Sequence, residues 1–237
     1  MHICILVTGE PPEPLKGQFG DYPSMFERLI SPHAPQFSFS TANALTNEGL
    51  PPVSSFDGLL ITGSPAGVYE EHKWIAPCEV LIKETATAGK PQVGICFGHQ
   101  LMAQAFGGKA IKSERGWGVG VHRYNISNKA SWMVPAANQI ACAVSHQDQV
   151  IEAPSGARTL GGSEFCPAGI LEYAQGPAIS FQQHPEFGHD YGLSLLKLRE
   201  DRIPPDRFGV GVDSYQNRTD RDLMGQWIAN FFTQNAS

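Results

Sequence analysis

The chain has 237 residues, 41% of them apolar and 17% charged, a balance that excludes a disordered polypeptide and allows a sizeable core. Its 17 basic and 23 acidic side chains give a formal charge of −6 without any Lys/Arg cluster, which argues against a nucleic-acid surface and for a small or zwitterionic ligand. The cysteines (Cys4, Cys78, Cys96, Cys142 and Cys166) are odd in number, dispersed and free of C-x-x-C pairs, so neither a disulfide framework nor a zinc knuckle is indicated.

His2–Val7 reads as a buried strand ending at Gly9. It is too short, and lacks the basic flank, to be a signal peptide. No apolar stretch approaches the ~20 residues of a membrane span, and a reduced cytoplasmic compartment is expected, where a reactive thiol can persist. A Pro-rich loop follows from Glu10 to Pro14. Ser24–Ile30 reads as a helix, with Ser24 as N-cap and Glu27 completing a capping box. Phe37–Thr41 is a weaker strand candidate. Gly58–Thr62 is an unbroken apolar run of the kind buried on both faces of a sheet.

Trp74–Ala88 has helical apolar spacing and stops at Gly89-Lys90-Pro91; Gln92–Ile95 is the next strand and Phe97–Phe106 the helix after it. Beyond Trp117 come shorter β-like pieces at Gly118–Tyr124, Ala141–Val144, Thr159–Leu160, Ile170–Tyr173 and Ala178–Gln182, and an amphipathic helix closes the chain near Asp220–Thr233. The polar, turn-rich segment between Glu200 and Arg221 is expected to be a surface loop or flap. With no repeat, low-complexity tract or linker, residues 1–237 are expected to form one α/β domain with a mostly parallel central sheet flanked by helices.

Chemistry concentrates at Gly94-Ile95-Cys96-Phe97-Gly98, a G-x-C-x-G between a strand and a helix. In such a nucleophile elbow the central residue sits on a tight turn that two glycines make room for. The helix N-terminus favours thiolate and aims the Phe97 N–H at an oxygen that becomes negative during attack. His184-Pro185-Glu186 follows an apolar strand-like segment, which places the histidine beyond a strand's carboxyl end, where Cys96 is also expected. His184 can then take and return a proton. Glu186, two residues on in extended backbone, can hold the other imidazole nitrogen. Alone, a G-x-C-x-G is balanced between a buried structural cysteine and a nucleophile, and a bare His-Pro-Glu reads as a surface turn; together they favour catalysis. His189-Asp190 is too small a donor set for a metal, Thr8-Gly9-Glu10 lacks the spacing of a phosphate loop, and His99 and His146 read as structural.

Gly94-Ile95-Cys96-Phe97-Gly98-His99-Gln100, His184-Pro185-Glu186 and Thr62-Gly63-Ser64-Pro65 together resemble, in order, the signature segments of class I glutamine amidotransferases, whose flavodoxin-like fold this chain is then expected to share. The resemblance is closest to stand-alone members such as the γ-glutamyl peptidases, which share the Gly116-Trp117-Gly118-Val119-Gly120-Val121 and Ser145-His146-Gln147-Asp148 segments, and extends to the glutaminase domain of GMP synthase. It implies an oxyanion hole from the amides of Ser64 and Phe97, although Ser64 replaces the usual glycine and would be strained at positive φ. It further implies that Gln100, Gln147 and Asp148 hold the substrate. The activity implied is hydrolysis of a γ-glutamyl amide through a thioester on Cys96, without metal or organic cofactor. Two other readings stand beside it: a glutaminase subunit feeding ammonia to a separate synthetase, and a redox sensor or binding module on the same fold.

Overall fold

The computed structural model describes residues 1–46 and 48–236. A nine-stranded sheet of order β2-β1-β3-β4-β11-β10-β9-β6-β7 forms its centre. Its first half consists of β1 (His2–Val7), β2 (Ser38–Asn43), β3 (Gly58–Ile61), β4 (Gln92–Ile95) and β11 (Ala178–Phe181), all mutually parallel. The second half is an antiparallel run of β6 (Gly118–Ile126), β7 (Gln139–His146), β9 (Arg158–Gly162) and β10 (Ile170–Glu172). A small separate ribbon pairs β5 (Lys109–Lys112) with β8 (Asp148–Glu152). The helices are α1 (Glu13–Phe19), α2 (Tyr22–Ile30), α3 (Ile75–Thr87), α4 (Phe97–Ala105), α5 (His189–Leu198), α6 (Pro205–Ser214) and α7 (Arg221–Gln234).

Strand alternation divides the core into two layers. Ile3, Ile5 and Leu60 face one side and pack with Phe26 and Leu29 of α2 and with Trp227, Ile228 and Phe231 of α7. Cys4, Leu6, Leu59 and Ile61 face the other, against Cys78 and Ile82 of α3 and Phe97 and Leu101 of α4. Helices therefore cover both faces of the parallel half, and its central strands β3, β4 and β11 are buried at every position.

Several local expectations change. α2 begins two residues earlier than the capping-box reading, because Asp21 is the N-cap and its carboxylate accepts the Ser24 amide at 2.9 Å. Asp outcompetes the serine placed beyond Pro23, since proline suits the first helical turn. α1 begins inside the supposed Pro-rich loop. The supposed flap between Glu200 and Arg221 contains α6, whose two glycines hide its helical character. Packing supplies what propensity does not. A Cβ on Gly211 would lie 3.0 Å from Val119 Cγ2, and Ser214 Oγ accepts the Val121 amide at 2.8 Å.

Two glycines test this packing. Gly98→Ala would bring its Cβ to 2.5 Å from the Ile61 carbonyl oxygen, whereas Gly17 in α1 has open space around it. In urea denaturation Gly98→Ala is expected to lose about 1–3 kcal/mol through overpacking, and Gly17→Ala to gain about 0.5–1 kcal/mol from helix propensity.

Candidate active site

Three neighbouring parallel strands, β3, β4 and β11, end on the same edge of the sheet, and each hands over one piece of the site. Beyond β4, Cys96 has φ 53 and ψ −100, the only non-glycine residue at positive φ among the described residues. Its amide donates to Phe181 O at 2.8 Å and that of Gly98 to Thr62 O at 3.2 Å, so the elbow is tied to the ends of both neighbours. Only glycine fits the flanks: a Cβ on Gly94 would stand 2.5 Å from Gly98 O.

Beyond β11, the His184 amide donates to Ala143 O at 2.9 Å, and the ring stacks on Phe187 at a centroid distance of 4.0 Å. Its Nδ1 lies 2.7 Å from Glu186 Oε1. The pair forms in a turn closed by Phe187 N and His184 O at 3.2 Å, where extended backbone was expected. Both side chains are buried, at 5% and 1% exposure. Burial alone would depress the His184 pKa, but the charges of Cys96 and Glu186 more than offset it and hold it above its ordinary value. With Nδ1 engaged by Glu186, Nε2 is the nitrogen left for the sulfur.

Beyond β3, Ser64 needs no glycine, since its φ is not positive; its Oγ accepts the Ala66 amide at 3.2 Å and shapes the loop. The strain expected there is absent. Gly9 makes room for this loop, because a Cβ on it would lie 2.7 Å from Ser64 Cα. The backbone N–H groups of Ser64 and Phe97 have no protein partner among the described residues. They remain free for an oxyanion.

Cys96, His184, Ser64, Gln100, Gln147 and Asp148 open together on a cavity of about 320 Å³. Glu186 lies behind the imidazole, and the Phe97 side chain is buried beneath against Trp74. Trp117 and Tyr22 also wall the cavity. Asp148 accepts a hydrogen bond from Tyr69 at 3.3 Å, while burial keeps its carboxyl above the ordinary range. His99 and His146 are buried and neutral, desolvation pushing each pKa down to about 3. His189 is occupied by Asp190 at 3.0 Å and Tyr215 O at 2.8 Å.

The sequence reading missed Gln182. Its Nε2 donates to Cys96 Sγ at 3.6 Å, and its Oε1 accepts from Gln100 Nε2 at 3.2 Å. Gln100 also donates to Asp148 O at 2.9 Å, so two buried amides run from the cavity wall to the sulfur. Gln182 directly follows the last residue of β11, a position whose direction sequence alone does not fix. Tyr69, Lys112, Arg199 and Arg202 of the cavity wall were missed as well.

The Glutamine amidotransferase class-I family model matches residues 36–197. The chain belongs to this family. It is 27% identical to gamma-glutamyl peptidase 2 of Arabidopsis thaliana over 66% of this chain and 62% of that protein. It is 32% identical to a glutamine-hydrolyzing GMP synthase subunit from Archaeoglobus fulgidus over 60% of this chain and 73% of the relative. A glutamine amidotransferase structure from Thermotoga maritima superposes with a TM-score of 0.76 at 16% identity, covering 99% of this chain and 98% of the other, a likeness of fold. No helix among the described residues is long and apolar enough to cross a membrane.

Two measurements probe the amidotransferase site. Gln182→Leu removes a donor to the sulfur, so Cys96 is expected to be alkylated by iodoacetamide at neutral pH at a lower rate than in the wild type. Glu186→Gln removes a negative charge beside the imidazolium, so the His184 pKa, followed by NMR, is expected to fall. The folded state holds this proton more tightly than the unfolded chain, whose histidine titrates near ~6.5. The contribution is therefore complete below that pH and is lost as pH rises through the folded value, and Glu186→Gln should weaken this alkaline loss.

Proposed function

We propose that this chain hydrolyses γ-glutamyl amides through a thioester on Cys96. The Cys96 thiolate attacks the γ-carbonyl carbon, and the oxygen's developing charge is taken up by the Ser64 and Phe97 amides. His184 delivers its proton to the nitrogen as the C–N bond breaks, and the amine leaves. The neutral imidazole then removes a proton from water, which attacks the thioester and releases glutamate, restoring the thiolate–imidazolium pair. Glu186 orients the imidazole throughout, and Gln100, Gln147 and Asp148 hold the α-amino acid head. No metal or organic cofactor is needed in this scheme. Residues 1–237 are read as one domain carrying it, in a reducing cytoplasm.

The observation that carries the proposal is the convergence of Cys96 and His184 at adjacent strand ends, with Glu186 2.7 Å from the imidazole. The relative named as a gamma-glutamyl peptidase supports the hydrolase reading. The relative named as one subunit of GMP synthase favours a second reading, a glutaminase that feeds a separate synthetase.

Intact-mass analysis with γ-glutamyl dipeptides is expected to detect a glutamyl adduct on Cys96. Cys96→Ala should lower turnover by roughly 10³-fold or more; a Cys96→Ala variant that keeps its activity would sink the mechanism. Assay of the isolated chain separates the two roles. Ready cleavage of dipeptides without a partner supports the peptidase. Activity on glutamine that appears only on adding a synthetase supports the ammonia-feeding role.

A further inference from the structure

The cavity around Cys96 is electrically lopsided. Its two carboxylates, Glu70 and Asp148, belong to one side, where Tyr69 donates to Asp148 and Lys112 pairs in register with it. Arg199 and Arg202 reach the cavity from the end of α5, whose Tyr191 packs on Phe187, which in turn stacks on His184. Arg199 Nη1 donates to Ser145 Oγ at 2.7 Å, and Ser145 lies two residues beyond Ala143, the acceptor of the His184 amide. Arg199 is also near enough to Tyr22 and Tyr191 to oppose the rise that burial imposes on both phenols. Among the described residues neither arginine forms an ion pair.

Reaction geometry gives these two sets of charges different tasks. The group that protonates the leaving nitrogen must lie on the leaving-group side of the scissile bond, so what leaves departs along the wall that continues from His184. That wall comprises Phe187, Leu195, Arg199 and Arg202. Ammonia, about the size of a water at ~30 Å³, needs no such wall and has no charge for it to meet. A guanidinium held through one nitrogen keeps other N–H groups free, in the planar fork that matches a carboxylate. Two of them unneutralised beside an apolar Phe187 and Leu195 suit an amine bearing both a side chain and a carboxylate.

Resting on the γ-glutamyl hydrolase reading, we propose that Arg199 and Arg202 form a subsite for the carboxylate of the leaving amine, making γ-glutamyl amino acids and short γ-glutamyl peptides the substrates in preference to glutamine. Attack by Cys96 breaks the bond between the γ-carbon and nitrogen. The nitrogen takes its proton from His184, and a free amino acid or peptide leaves with its carboxylate unchanged.

Paired substrates test this: γ-glutamylalanine against γ-glutamylalaninamide, which differ only in that carboxylate. The wild type is expected to favour the free acid in kcat/KM by about ten- to hundredfold, the range for a hydrogen bond to a charged group. In Arg199→Gln, Arg202→Gln and the double variant this ratio should fall towards one. Arg202, exposed and bonded to no other side chain, provides the variant least able to disturb folding. A wild type that cleaves both compounds equally, with a glutamyl adduct still forming on Cys96, overturns the subsite and leaves the hydrolase reading intact. If the variants keep the wild-type ratio, or lose selectivity instead for the free α-carboxylate of the glutamyl head, the subsite is likewise overturned. If no adduct forms with either compound, the hydrolase reading fails and this proposal with it.

Discussion

Cys96 holds a backbone conformation that costs an L-residue about 1–3 kcal/mol and persists only where its surroundings over-determine it. Here they do. Its amide is fixed to the end of β11, the amide of Gly98 to the end of β3, and the helix that begins at Phe97 is locked under the sheet by Phe97, Leu101 and Met102. Any relaxation of the elbow towards negative φ would have to move Gly94 and Gly98, which already sit within one Cβ of neighbouring backbone. The strain thus stands the sulfur at the sheet edge, in front of a helix N-terminus and beside two unpaired amides.

The same edge explains how histidine and glutamate arrive from far along the chain. β11 is the last strand in sequence, yet it inserts beside β4 in the sheet, so residue 184 meets residue 96 because of strand order alone. β7 adds a second anchor through Ala143 O. Phe187 then clamps one face of the imidazole, and the charges of Cys96 and Glu186 offset the burial that would otherwise lower the His184 pKa. Each of these is a packing consequence.

How much of this was legible depended on whether the signal was local. The elbow glycines and the uninterrupted runs at His2–Val7 and Gly58–Thr62 are local signals, and the His-Pro-Glu segment gains its meaning only beside the elbow. Their order, together with the segment at Thr62-Gly63-Ser64-Pro65, sufficed for the parallel half and for the residues around Cys96. α6 was not legible, because its two glycines oppose helix and its packing comes from Val119, Leu196 and the Ser214 hydroxyl. α5 could have been read from Tyr191, Leu195 and Leu196, whose spacing marks a buried face. Gln182 could not. Its side chain reaches the sulfur only because the chain leaves β11 in a bend, and no periodicity encodes that.

The two halves of the sheet divide the labour differently from what their continuity suggests. The parallel half supplies Ser64, Cys96 and His184, all at strand ends on one edge of the sheet, the alignment that the proposed acyl transfer requires. The antiparallel half and its outlying ribbon supply Trp117 before β6, Ser145 and His146 at the end of β7, and Asp148 at the start of β8, all on the cavity wall. α6 rests on β6 through Gly211 and Ser214, and so supports the same wall from outside. Strand pairing at the centre of a parallel sheet tolerates little change, because a slip of one residue would invert every buried side chain. Edge strands, turns and α5 bear fewer such constraints. Recognition can therefore vary in this outer half while the elbow and its imidazole stay fixed, and the arginines that follow α5 lie where that variation is least costly to the fold.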